Sequence, residues 1–258
     1  MQPITHTIDP WAALRAHTSA RIALGACGSS MPTGEMLRLG LAHAQARDAV
    51  HQPLDVPLLT LQLHSLLPGL EVLQVHSAAP DRATYLLRPD QGRVLSEGSQ
   101  HMLQQARHAP CDLVCVVGDG LSSTAVQQYA APLLAALLPA LQTQGLRLGP
   151  VVMAQQARVA LGDPVAQLLQ ARMVLMLVGE RPGLSASDSM GAYLTWAPRP
   201  GMPDAQRNCV SNIRDKGLQP PEAAAKLLWL IEHARALQAT GVALKDESPD
   251  GIRLGVPQ

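Results

Sequence analysis

The sequence of 258 residues predicts an α/β protein, with a mainly parallel sheet, flanking helices and a small helical region in front of them. Three observations predict this. Residues 111–117 (CDLVCVV) and 173–178 (MVLMLV) are apolar runs too short for a membrane helix, each stopped by glycine, and they read as strands buried on both faces. Each run gives way at once to a turn, GDGLSS at 118–123 and ERPG at 180–183. Strand-like runs then alternate with helical ones, the longest being TAVQQYAAPLLAALLPALQTQG at 124–145, as crossovers between parallel strands require.

In chain order, Asp9 and Pro10 form a helix start, with Asp as cap and Pro at the first helical position, for a helix over 11–24. The glycines at 25 and 28 break it. A second helix runs over 35–51, with apolar residues at 37, 41, 44 and 50, and with His43, Arg47 and Asp48 on a solvated face. Pro53 and Pro57 mark a boundary, so residues 1–56 are read as a helical N-terminal region and 57–258 as the α/β domain. LLTLQLHSL at 58–66 fits helix or strand equally. LEVLQVHSA from Leu70 alternates apolar and polar and reads as a strand.

A short piece at 84–87 leads to RPDQGR, a turn whose Arg88 and Arg93 either clamp an anion or are simply solvated. A helix is expected over 94–109. After the 111–117 strand and the long helix, a strand lies within 151–159. The next helix has Asp163 as cap and Pro164 at its first position. Residues 192–198 (AYLTWAP), with Tyr193 and Trp196, read as a strand at the sheet edge, and 207–214 (RNCVSNIR) as a polar loop. The last helix starts at Pro220 and ends at Gly241, and the tail is polar.

Composition narrows the function. Twenty basic and twenty acidic residues cancel, which argues against nucleic acid or an anionic membrane as partner. The N-terminus lacks a basic-then-apolar leader and no apolar run approaches about 20 residues, so a soluble intracellular (cytoplasmic) protein is expected. With no Phe, the core must be filled by Leu, Ala, Val and Met. Cys27, Cys111, Cys115 and Cys209 form no CxxC pair and are read as thiols in a reducing compartment. The nine His show no metal spacing, so no metal site is assigned.

A charged pair at the carboxyl end of a buried strand, Glu180–Arg181, lies where open α/β sheets bind ligands. The glycine turn at 118–123 is a second candidate, since strand, glycine turn and helix N-terminus present free N–H groups to an anion. Its GxGxxS spacing lacks the third glycine and the later acidic residue of a dinucleotide site; helix capping by Ser122 or Ser123 accounts for it as well. No convergent acid–base or nucleophile set is found, and no catalytic residue is assigned.

Four strings in order, YLLRPDQGR (85–93), VVGDGLSS (116–123), MLVGERPGL (176–184) and CVSNIRDKG with PPEAAAKL (209–227), carry a resemblance to the small subunit (light chain) of ethanolamine ammonia-lyase. The resemblance spans about residues 9–241. It implies a Rossmann-like α/β domain behind a helical N-terminal part. It also implies a large TIM-barrel subunit that holds ethanolamine, with adenosylcobalamin bound where the two subunits meet. The implied reaction is cobalt–carbon homolysis, hydrogen abstraction by the adenosyl radical and amino migration, yielding acetaldehyde and ammonia. The family's cobalamin-contacting positions fall on Val159 in QARVALGD, Glu180 in VGERPG and Cys209 in RNCVSNI.

Two departures stand out. Some relatives carry a long N-terminal extension that directs them into a bacterial microcompartment, whereas about eight residues precede the first helix here. The turn after that helix often carries arginines in relatives but reads GACGSSMPTG in this chain. The competing expectation is a stand-alone α/β protein that binds a small phosphorylated ligand at the Gly118 to Ser123 turn; a hydrolase built on either serine lacks an identifiable partner His.

Overall fold

The structure is a computed structural model and describes residues 6, 7, 10–106 and 108–249. Asp9 and the tail beyond 249 lie outside the described residues. A two-stranded ribbon, β1 (His6–Thr7) with β2 (Ala26–Cys27), opens the chain. The helix expected over 11–24 is instead a 3-10 helix at Ala12–His17 with no buried residue. A segment that buries no side chain lacks the packing that holds most short helices together. Helix α1 (Thr33–His51) forms as expected, but Ala42 and Ala49 make its core contact, and Leu37 and Leu41 stay 70% and 59% exposed.

Helix α2 (Val56–Leu66) resolves the ambiguous apolar stretch. The Asp55 carboxylate accepts the Leu58 N–H, Pro57 falls in the first turn, and Leu59 and Leu63, four residues apart, are fully buried. There follow β3 (Val72–His76), α3 (Arg82–Leu87), α4 (Glu97–Gln105), β4 (Cys111–Gly118), α5 (Ser123–Thr143) and β5 (Leu148–Gln155). Then come a 3-10 turn at Val159–Leu161, α6 (Gly162–Leu168), β6 (Ala171–Gly179), β7 (Met190–Trp196), β8 (Arg207–Ile213) and α7 (Pro220–Leu237). Gln238, in the left-handed conformation at φ +55, ends α7 before Gly241 is reached.

The sheet runs β3-β5-β4-β6-β7-β8. Its first four strands are parallel, and β7 and β8 return antiparallel. The α/β class therefore stands, with the parallel part confined to one side. Alternation in the central strands sorts the core. Leu113, Cys115 and Val117 with Met173, Leu175 and Leu177 face α2, α5 and α7, while Val114 and Val116 with Val174, Met176 and Val178 face α4 and α6. Each such side chain contributes about 1.5–3 kcal/mol on burial. Helix α5 is long and apolar enough to cross a membrane, but eleven of its residues are buried against the sheet and α7.

Two expectations about the antiparallel side are corrected. Strand β7 is internal, bonded to β6 and β8, and the edge is β8. The segment expected as a polar loop is that edge strand. Val210 and Ile213 face the core, while Cys209, Ser211 and Asn212 are exposed. A strand covered on one side only, with polar residues on the other, shows no apolar run to read.

Candidate functional site

Both candidate turns emerge at the carboxyl edge of the parallel strands, in different states. The turn after β4 is bonded into the protein. The Leu121 N–H donates to the Gly179 carbonyl (2.9 Å) and the Asp119 N–H to the Ala154 carbonyl (3.3 Å). The Asp119 carboxylate accepts the N–H groups of Gln156 and Ala157, each at 2.9 Å, with Arg82 at 3.6 Å. Burial pushes its carboxyl up, opposed by those two N–H donors and by Arg82. The Ser122 hydroxyl donates to the Ser187 carbonyl and that of Ser123 to the Gln52 carbonyl, so neither caps α5 through its side chain. Gly120, at φ +58, could not carry a Cβ, which would fall 2.3 Å from the Gly179 carbonyl oxygen.

The end of β6 is open by comparison. Glu180 is half-buried and its N–H donates to the Ser189 carbonyl at 2.9 Å. Its Oε2 accepts from the Ser189 hydroxyl and from the Asn212 N–H (3.4 Å). The Oε1 atom lies across Gly191, where a Cβ would come within 3.0 Å of it and 3.1 Å of the Tyr193 ring. Glycine there lets the carboxylate and the ring approach each other over the strand. Asn212 stands at φ +59, which Asn tolerates, and the Glu180 carboxylate holds its N–H.

Tyr193 on β7 is paired directly with Cys209 on β8. Burial pushes the Tyr193 hydroxyl far up, followed by the charge of Cys209 and a hydrogen bond to it. Burial also pushes the Cys209 thiol up, the Tyr193 hydrogen bond pulls it down and Glu180 pushes it up again. These are the shifts of a hydroxyl donating to sulfur. Cys209 is exposed as a residue although its sulfur is partly covered, and a thiol pushed upward in this way is no thiolate nucleophile at neutral pH.

The structure therefore brings Glu180 and Cys209 together around Tyr193. Val159 opens the 3-10 turn after β5, and it and Tyr193 flank the same apolar cluster. Tyr193, Ser189, Gly191 and Asn212 were not singled out from sequence as site residues. Tyr193, an aromatic residue in a chain with 2% aromatics, was the available signal, but its pairing with Cys209 requires β8 to be known as a strand.

Asp163, expected as the cap of α6, lies inside its first turn with no exposure and forms a two-pronged ion pair with Arg207. Arg88 closes onto Asp90 at the surface, so the 88–93 turn is solvated at that end. Arg82 and Arg158 lie over the buried Tyr85 ring at 4.7 and 4.3 Å, and burial pushes that phenol to about 12. Among the described residues, no three His, Cys, Asp or Glu side chains gather as a metal-binding set.

Comparison with known proteins adds an independent finding. Residues 8–245 match the family model described as ethanolamine ammonia-lyase light chain. The chain is 54% identical over 238 residues to the ethanolamine ammonia-lyase small subunit of Bradyrhizobium diazoefficiens, covering 92% of this chain and 90% of that protein. Proteins of the same description from Ralstonia nicotianae and Rhodopseudomonas palustris are 49% and 51% identical. Each match covers 95% of this chain and 91% or 93% of the relative.

Proposed function

The chain belongs to the ethanolamine ammonia-lyase light-chain family, and on that premise we propose that it is the cobalamin-contacting subunit of a two-subunit ammonia-lyase. The observation that carries the reading is the open face around Tyr193, where Glu180, from the carboxyl end of β6, and Cys209, on β8, approach the same ring. The residues fit the group. A corrin presents a broad rim of amide arms, for which Glu180 Oε1 is an acceptor, the exposed Ser211 and Asn212 offer hydroxyl and amide groups, and Gly191 leaves room.

When bound, adenosylcobalamin supplies the carbon radical that takes hydrogen from the substrate. The chain's own residues bind and orient it. Glu180, fixed by Ser189 and the Asn212 N–H, accepts from an amide arm; Cys209 and Tyr193 form a surface for the ring's edge; Val159 contacts it at the end of β5. The thiol keeps its proton and moves none. Water is excluded by the partner, a large TIM-barrel subunit that holds ethanolamine. The exposed Trp11, Leu14, Met36, Leu37 and Leu41 of the N-terminal region support such a partner, because apolar surface of this kind is costly in a free chain. In this reading the assembled enzyme works in the cytoplasm or, carried as a whole, inside a microcompartment.

The test is co-expression with a large subunit. The purified small chain with adenosylcobalamin should release no ammonia from ethanolamine, and the co-purified complex should release it. Turnover by the small chain alone, or no association with the large subunit, would overturn the reading.

A further inference from the structure

A buried ion pair lies two residues along the β7–β8 ladder from the Tyr193–Cys209 pair and is not used by the binding reading. Arg207 Nη1 donates to Asp163 Oδ1 at 2.7 Å and Nη2 to Oδ2 at 2.6 Å, with side-chain exposures of 2% and 0%. The guanidinium also donates to the Thr195 hydroxyl (3.0 Å) and the Met202 carbonyl (3.1 Å). Asp163 follows Val159 by four residues, in the first turn of α6, into which the Val159–Leu161 turn runs without a break. Arg207 precedes Cys209 by two residues on β8, so both side chains project from one face of that strand.

We infer that the Asp163–Arg207 pair is a register pin, positioning the Cys209 strand against the Val159 turn so that both present to the cofactor at a set spacing. Strand β8 needs one. It is the edge strand, β7 is its one ladder partner, and that ladder already shifts register between Met190 and Ala192. A slip by one residue would turn Cys209 to the opposite face. A two-pronged fork specifies both distance and plane, which apolar packing does not. Stability alone is a poor reason to keep such a pair, because desolvation offsets its attraction and apolar pairs of similar volume often serve as well.

The inference rests on the proposed cofactor edge, and the experiment separates the two. The assembled large–small complex, freed of cofactor, is titrated with adenosylcobalamin by absorbance, and its unfolding midpoint is measured alongside. The variants are the double change Asp163→Leu with Arg207→Met, the single change Arg207→Lys, which keeps the charge but loses the fork, and Glu180→Ala. Both pair variants should unfold within a few degrees of wild type yet bind cobalamin at least tenfold more weakly. Wild-type affinity in a folded pair variant would overturn the pin. Failure of both to fold would overturn it too, by making the pair a stability element. If Glu180→Ala also kept wild-type affinity, the cofactor edge itself would be misplaced; if Glu180→Ala alone weakened binding, only the pin would fail.

Discussion

The turns after β4 and β6 leave the same edge of the same sheet, and each carries a carboxylate and glycines, yet their side chains are committed to different degrees. At the first, Asp119 is filled by Gln156 and Ala157, the Leu121 N–H is taken by Gly179, and both serine hydroxyls bond to distant carbonyls. At the second, the protein's donors converge on one oxygen of Glu180, and Cys209, Ser211 and Asn212 face outward. The difference teaches that polar residues at a strand end make a site only where the chain itself has not already satisfied them.

The largest expected effect breaks the closed turn. Asp119→Ala would strand one buried and one half-buried N–H group and leave Arg82 without its carboxylate, a loss of about 2–5 kcal/mol in denaturant unfolding. A variant as stable as wild type would show that the turn is not held as described.

Glu180→Ala should do the converse at the open turn. A hydrogen bond to a charged group contributes about 1.5–3 kcal/mol, so cobalamin affinity of the complex should fall roughly ten- to a hundred-fold. Its unfolding should change by less than the Asp119 variant's, because it releases one buried hydroxyl, that of Ser189, and the N–H of the exposed Asn212, and leaves no arginine without its carboxylate. An Asp119-sized loss of stability with unchanged affinity would reverse the comparison and make Glu180 a structural turn residue.

The smallest effect concerns Cys209. Cys209→Ser keeps a small polar side chain, and activity of the complex should fall less than tenfold. With burial and Glu180 both raising the thiol, the thiolate fraction is small at pH 7 and grows only as pH rises past the ordinary cysteine range. Iodoacetamide labelling of Cys209 in the cofactor-free protein should therefore be slow near pH 7 and still climbing above pH 9. Rapid labelling at neutral pH, or abolished turnover with intact cobalamin binding in the Ser variant, would mark a reactive thiolate instead.

The sequence by itself determined the centre of the molecule and the family. Strands β4 and β6 show as apolar runs because both faces are buried, and α1, α5 and α7 show through apolar spacing or proline starts. These signals are local, each read within one stretch of chain. What only the tertiary structure decided is non-local. Strand β8 carries polar residues on its free face, and α2 is separable from a strand only once Leu59 and Leu63 have a core to face. Asp163 looked like a cap until Arg207, 44 residues away, took its carboxylate. Which turn is closed depends on the reach of Ser122 to Ser187 and of Ser123 back to Gln52, separations of 65 and 71 residues. Periodicity records which side of an element meets the core, but a polar group's partner is chosen by whichever distant segment the fold brings within about 3 Å.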